Sequence, residues 1–224
     1  MKRALALLVL AACAPSREES PAPADDLEFE MALASQLAFD PAAVRPGQYV
    51  LYVARVEGGP VQTLRWAAFA GEGDTLWIEN RRPAPPNPRP MVIKSRLDRT
   101  GKLLEQWVGE PGGAPVRTYP KKDAAAPSAT PAPRRDPSAA QARTDEQPDR
   151  IVAGGKTYAC TRFTSTLAYP DGRTSTLRQW FSKEVPFPAS PALGGLVRRS
   201  FGRFTMELLA SGEDARPELE IPAR

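Results

Sequence analysis

The sequence predicts a mainly β protein: a strongly curved antiparallel sheet or an incomplete barrel, with one N-terminal helix and a long disordered insertion. Segments rich in β-branched and aromatic residues recur from residue 48 onward, beginning with QYVLYVARV at 48–56. Short turns join them, and GEGD at 71–74 and PDGR at 170–173 are typical of β-hairpins. The pattern accommodates about nine or ten strands.

One helix is predicted before the strands, at residues 25–38 (DDLEFEMALASQLA). Asp25 or Asp26 can cap its N-terminus. Its apolar residues repeat with helical spacing and share one face: Leu27, Met31, Ala34 and Ala38. Pro41 then ends the helical pattern.

The predicted strands form two blocks, and a polar segment at residues 120–149 separates them. This segment is rich in Ala, Pro and charged residues and poor in large apolar ones, so we interpret it as a disordered insertion. Because the second block alone would have a thin core, both blocks are predicted to form a single β-rich domain over 25–212. Residues 213–224 are predicted to be a frayed tail.

The first thirteen residues, MKRALALLVLAAC, have the pattern of an export signal. Lys2 and Arg3 precede an apolar run that is much shorter than the roughly 20 residues needed for a membrane-spanning helix. The ending LAAC at 10–13 resembles the lipobox of bacterial lipoproteins. That resemblance implies a signal peptide at 1–12, acylation of Cys13, and a flexible Pro-rich tether at 13–24. A simple secretory signal with an incidental Cys is the alternative.

The lipobox resemblance also implies a location. In the sorting rule of enteric lipoproteins, a residue other than Asp after the acylated Cys favours the outer membrane, and here that residue is Ala14. We therefore expect a lipid-anchored protein of the cell envelope, in the outer membrane and facing the periplasm. Its membrane contact would be made through acylated Cys13.

Composition argues against several classes of function. The sequence contains no His, which rules out Ser-His and Cys-His nucleophile pairs and His-containing zinc sites. The net charge of +4 becomes +2 when Lys2 and Arg3 are removed, and the basic residues are scattered, so nucleic acid is not an expected partner. Charged residues on the predicted strands are expected to face water. We expect no enzyme activity, no cofactor and no metal site.

The sequence has two cysteines, and acylation of Cys13 would leave Cys160 as the only free thiol. Cys160 lies in the strand-like segment YAC at 158–160 and is interpreted as a small buried hydrophobe. An intermolecular disulfide or a reactive thiol is the alternative.

The four tryptophans, Trp66, Trp77, Trp107 and Trp180, lie one on each of four predicted strands. Large aromatic side chains of this kind can form the wall of a pocket for an acyl chain or another apolar ligand. The alternative is an ordinary core beneath a curved sheet. Strand alternation places Trp77 on the same face as Glu79, which favours a pocket rim or an exposed face over a dry core.

Three segments resemble a group of bacterial lipoproteins of unassigned function. They are PGQYV at 46–50, GKTYAC at 155–160, and a closing segment with WFSKEVPF at 180–187 and GGLV at 194–197. The resemblance covers residues 48–110 and 150–212. It implies a sheet like the half-barrel of the Lol-type lipoprotein carriers, which wraps an apolar cavity and is covered by helices. This chain departs from those carriers because it is itself predicted to be lipidated, has a long insertion and offers few helices.

These observations predict a membrane-anchored periplasmic lipoprotein that is not an enzyme and binds an apolar ligand or an envelope protein in a curved sheet. The alternative is a structural or assembly subunit of an envelope complex that has no ligand pocket. Such a subunit would make its contacts through a sheet edge or the insertion. An open apolar cavity lined by two or more of the tryptophans would favour the first function, and a filled interior with an exposed strand edge would favour the second.

Overall fold

The structure is a computed structural model of the 224-residue chain, and it describes residues 39–84, 87–119, 141–168, 174–187 and 189–222. The predicted signal peptide, tether and N-terminal helix lie outside the described residues, and so does Cys13. Every regular element within the described ranges is a β-strand.

In the described part, the chain forms one sheet of eleven strands. The strands are β1 (Tyr49–Val56), β2 (Gln62–Ala70), β3 (Thr75–Ala84), β4 (Asn87–Asp98), β5 (Leu103–Gly109), β6 (Val116–Tyr119), β7 (Gln141–Ala153), β8 (Lys156–Ala168), β9 (Thr174–Ser182), β10 (Gly195–Phe201) and β11 (Phe204–Gly212). Their order across the sheet is β6-β5-β4-β3-β2-β1-β11-β10-β9-β8-β7.

The first and last strands pair in the middle of the sheet. β1 and β11 are antiparallel, with Tyr49 opposite Gly212 and Val56 opposite Phe204. From this pair, β1 to β6 extend to one side through successive hairpins, and β11 to β7 extend to the other. The mainly β, antiparallel prediction is therefore confirmed, and the sheet is open, with β6 and β7 at its edges.

The predicted insertion is wrong over residues 141–149, because these residues form the first part of β7. The strand pairs with β8 along its whole length, from Gln141 opposite Ala168 to Ala153 opposite Lys156. Gly154 and Gly155 make the turn, with positive φ angles of 54° and 76° that suit glycine. Because β7 is a largely exposed edge strand, its composition is polar and resembles that of a disordered segment. The rest of the insertion, 120–140, lies outside the described residues.

The buried core centres on β1 and β11. Alternate residues of β1 point into it, and Tyr52 is completely buried. The Tyr52 hydroxyl donates to the carbonyl oxygen of Leu196 at 2.8 Å, and its ring meets Trp66 edge-on at 5.7 Å. Burial raises the pKa of Tyr52 far above its usual value, so this hydroxyl stays a hydrogen-bond donor.

The predicted frayed tail is also wrong for residues 213–222, which pack against the face of β2 to β5. Leu219 is completely buried there. Ala215 N donates to the carbonyl oxygen of Gly47 at 2.9 Å, and Gly112 N donates to that of Glu218 at 3.0 Å. Leu219 fits because Gly109 has no side chain: a Cβ at that position would lie 2.8 Å from Leu219 Cδ1. This C-terminal segment is therefore part of the folded domain.

We predict that Leu219→Ala lowers the free energy of unfolding by about 2–5 kcal/mol, because it leaves a cavity beneath the C-terminal segment. Urea denaturation followed by tryptophan fluorescence measures the loss. The matched control is Leu209→Ala on β11, where the side chain is 49% exposed and little burial is lost. Equal losses in the two variants would contradict the packing described for Leu219.

Candidate functional site

The three segments that carry the family resemblance are far apart in sequence but meet around one cleft. This larger cleft encloses about 1090 Å³. Its lining includes Pro46 and Gln48 from the first segment, Lys156 and Tyr158 from the second, and Lys183 to Pro186 with Gly194 from the third. The end of β11 completes the wall, where Leu209 is half exposed.

A smaller cleft of about 540 Å³ shares Lys183 and Glu184 with the larger one. Ala159, Phe181 and Leu193 contribute apolar surface to it. Its volume falls within the range of about 300–1,000 Å³ that is typical of small-molecule sites. The lining of the smaller cleft is also the more apolar of the two, so it is the better match for a small apolar ligand.

The residues that follow Ser182 line both clefts, and one buried aromatic residue holds them in place. Phe187 is fully buried and packs edge-on against Phe39, with ring centroids 5.3 Å apart. Its φ angle of 75° lies in the left-handed region, which costs a non-glycine residue about 1–3 kcal/mol. Packing of the Phe187 ring offsets this strain and holds these residues at the clefts.

Two carboxylates that line the smaller cleft are already paired. Asp149 Oδ2 accepts from the indole Nε1 of Trp180 at 2.9 Å and lies 3.4 Å from Arg162 Nη1. The Trp180 hydrogen bond lowers the pKa of Asp149. Glu184 lies 2.9 Å from Lys156 Nζ, and this contact lowers the pKa of Glu184. Both groups are therefore ionised near neutral pH and are poorly suited to general acid catalysis.

Cys160 lies in the wall of the smaller cleft as a free, buried thiol, in agreement with the interpretation of its strand context. Burial raises the pKa of the thiol to about 11, and the negative charges of Asp149 and Glu184 act in the same direction. Because the thiolate is the nucleophilic form, Cys160 is unreactive near neutral pH.

The structure does not bring the four tryptophans together. Trp66 is buried against Tyr52, and Trp180 is buried beside Asp149. Trp77 and Trp107 are partly exposed on β3 and β5, where each ring lies beneath an arginine. None of the four lines either cleft. Their role in ligand binding stays a prediction. Trp180 has an indirect link to the smaller cleft, because its indole N–H donates a hydrogen bond to Asp149 in the lining.

Several charged residues on the strands form a buried cluster that was not predicted from the sequence. We expected these groups to face water, and this is wrong for Glu79, Lys94 and Glu105, which are buried. Glu79 lies 3.1 Å from Lys94 Nζ and 3.5 Å from Arg65 Nη1. It also accepts hydrogen bonds from the backbone N–H groups of Glu218 and Leu219, at 3.0 and 3.2 Å. Strand alternation correctly placed Glu79 with Trp77 but could not show that the C-terminal segment covers Glu79.

The second buried carboxylate, Glu105, is also fully engaged. It lies 3.1 Å from Arg96 Nη2 and 3.3 Å from Arg117 Nη2, and it accepts from Trp107 Nε1 at 3.1 Å. Because each buried carboxylate is held by two cations and by N–H donors, this cluster stabilises the fold and offers no free acid or base. In the residues that the structure describes, no group of three or more His, Cys, Asp or Glu could hold a metal ion.

Comparison with known proteins finds distant structural similarities. No family model matches the chain, and neither does any curated protein sequence. A candidate lipoprotein of known structure from Parabacteroides distasonis is similar, with 10% identity, a TM-score of 0.33, and coverage of 79% of this chain and 100% of that one. A DUF1329 family protein from Desulfovibrio piger has 10% identity and a TM-score of 0.27, with coverage of 84% and 91%. These similarities are too low to carry an argument about function.

Among the described ranges, no helix has the length and apolar character needed to cross a bilayer.

We predict that Glu79→Gln lowers the free energy of unfolding by about 3–5 kcal/mol, because it leaves the buried Lys94 ammonium without its anion. Urea denaturation measures this loss. The control is Glu184→Gln, which removes the anion from an exposed pair with Lys156 and should cost about 0–1 kcal/mol. A Glu79→Gln variant as stable as the control would show that the buried pair does not stabilise the fold.

Proposed function

We propose that this chain is a non-enzymatic lipoprotein of the bacterial cell envelope, which binds an apolar ligand in the smaller cleft. Acylated Cys13 would anchor it, in the outer membrane and facing the periplasm. The observation that carries the proposal is the cleft itself. It has the volume of a small-molecule site, and apolar side chains contribute to its wall.

The chemistry around the cleft supports binding rather than catalysis. The sequence has no His to serve as a general base. Asp149 and Glu184 are ionised and paired, and the raised pKa keeps the Cys160 thiol protonated. A nucleophile or a general acid must be both unpaired and in the right protonation state, and none of these three lining residues meets both requirements.

The anchor is supported by the sequence MKRALALLVLAAC and tested by one substitution. We predict that Cys13→Ser removes the acylation site and releases the protein into the soluble periplasmic fraction, because no acyl chain then holds it. Fractionation of cells followed by immunoblotting measures the distribution. Cys160→Ser removes the other thiol and should leave the protein with the membranes. Continued sedimentation of the Cys13→Ser variant with membranes would contradict the anchor.

Ligand binding is tested by titration of the Cys13→Ser protein with palmitate. We predict a saturable change in tryptophan fluorescence, because the Trp180 indole is bonded to Asp149 at the cleft. Phe181→Ser should weaken binding at least tenfold by making the apolar wall polar, whereas Leu209→Ser in the larger cleft should bind normally.

Trp180→Phe should lose most of the fluorescence response, and Trp107→Phe, on the far half of the sheet, should keep it. The absence of palmitate binding by well-folded protein, measured independently by calorimetry, would rule out the proposed ligand site.

A second candidate function is assembly into an envelope complex. It is favoured by the apolar side chains that the structure leaves exposed: Leu209 beside the larger cleft is 49% exposed, and Val116 on the edge strand β6 is 66% exposed. Such residues can contact another protein. Native mass spectrometry of the protein purified from its own envelope distinguishes the two functions, since it records either a small bound mass or a partner chain.

A further inference from the structure

We propose that the smaller cleft takes a single-chain amphiphile with an anionic head group, and that Arg150 and Lys183 hold this head group. This inference rests on the proposed function and adds the chemical class of the ligand. Two observations support it. The acidic residues of the cleft have ion-pair partners whereas Arg150 and Lys183 have none in the described chain, and these two cations lie near the apolar wall.

The apolar wall is continuous with the core. Register places Pro148 opposite Thr161, and Thr161 opposite Phe181, so these residues form one row across β7, β8 and β9. The Phe181 ring is partly buried and meets the buried Phe163 edge-on, with centroids 5.9 Å apart. An alkyl chain lying along this row would exchange water for aromatic and aliphatic surface, which is the main source of affinity for such ligands.

The cleft is lined by equal numbers of acidic and basic residues, but in the described part of the chain only the acidic ones have ion-pair partners. Of the described residues in the lining, four are charged: Asp149, Arg150, Lys183 and Glu184. Both carboxylates are already paired, Asp149 with Arg162 and Trp180, and Glu184 with Lys156. Within the part of the chain that the structure describes, neither the Arg150 guanidinium nor the Lys183 ammonium has an ion-pair partner. The lining of the cleft therefore carries two cations without ion-pair partners.

The two cations are also in a suitable position. Arg150 lies opposite Ala159, two residues from Pro148 along β7, and Lys183 lies two residues beyond Phe181. Two residues along β7 correspond to about 7 Å, whereas Lys183 directly follows Ser182, the last residue of β9. Both cations are exposed and line the same cleft as Phe181, so a chain on Phe181 would bring its head group near them. An anionic head group gains these contacts, a neutral one does not, and a cationic one is repelled.

The test compares ligands that share a sixteen-carbon chain and differ in the head group. Palmitate, 1-hexadecanol and hexadecyltrimethylammonium are titrated below their aggregation limits into the Cys13→Ser protein, with calorimetry as the readout. We expect palmitate to bind about tenfold more tightly than hexadecanol, and the ammonium compound to bind most weakly. Higher ionic strength should reduce this preference, because exposed charges are screened.

Variants assign the effect to the two cations. Arg150→Gln with Lys183→Gln should weaken palmitate binding to the level of hexadecanol and leave hexadecanol unchanged. Each exposed cation should account for about fivefold or less. The matched control, Arg143→Gln with Lys102→Gln, removes the same charge at exposed positions outside the cleft and should behave as the parent protein.

The outcomes separate this inference from the proposed function. Equal affinity for palmitate and hexadecanol, or equal effects of the two double variants, would overturn the anionic head group and leave the apolar site standing. Failure of all three ligands to bind would overturn both. A lysophosphatidylglycerol with the same chain tests whether the anionic head group is that of a phospholipid or of a free fatty acid. Preferential binding of this lipid over palmitate supports a phospholipid head group, and the reverse supports a free fatty acid.

Discussion

The pairing of β1 with β11 is the interaction on which the rest of the structure depends. These strands lie at opposite ends of the described sequence, yet they form the middle of the sheet and bring the two runs of hairpins together. Tyr52 on β1 reinforces the seam, because its buried hydroxyl bonds to Leu196 on β10. The larger cleft exists because of this seam, since its lining combines the loop before β1 with the end of β11 and with β8.

Charge plays two different roles in the two parts of the sheet. On the β2 to β5 side, the carboxylates of Glu79 and Glu105 are buried and matched by cations and N–H donors, as the cost of burying charge requires. At the smaller cleft, the acidic groups are matched while Arg150 and Lys183 remain exposed and unpaired within the described chain. The first arrangement stabilises a fold, and the second leaves a surface on which an anion can gain contacts.

The hairpin turns and many of the strands could be predicted from the sequence, because they depend mainly on residues close together in the chain. The turn GEGD at 71–74 joins β2 to β3, and the β-branched segment at 48–56 forms β1, because hairpin turns and strand propensity depend on neighbouring residues. Contacts between distant residues were not predictable in this way. The burial of Glu79 depends on Glu218 and Leu219, which lie far along the chain, and the polar residues 141–149 form a strand because β8 pairs with them. Strand alternation shows which residues lie on the same face of the sheet as each tryptophan. It does not show which face is buried by the rest of the chain, so the burial of the tryptophans could not be predicted.

The central position of β11 has a consequence for how the protein would reach its place of action. An exported chain crosses the membrane from its N-terminus, so β1 emerges early while β11 and the segment that buries Leu219 follow at the end. In such a chain the seam between β1 and β11 could not close until β11 had also crossed, and closing a long loop is slow. In the proposed exported protein, this topology would delay completion of the sheet until β11 has crossed, so the last step of folding would follow transit.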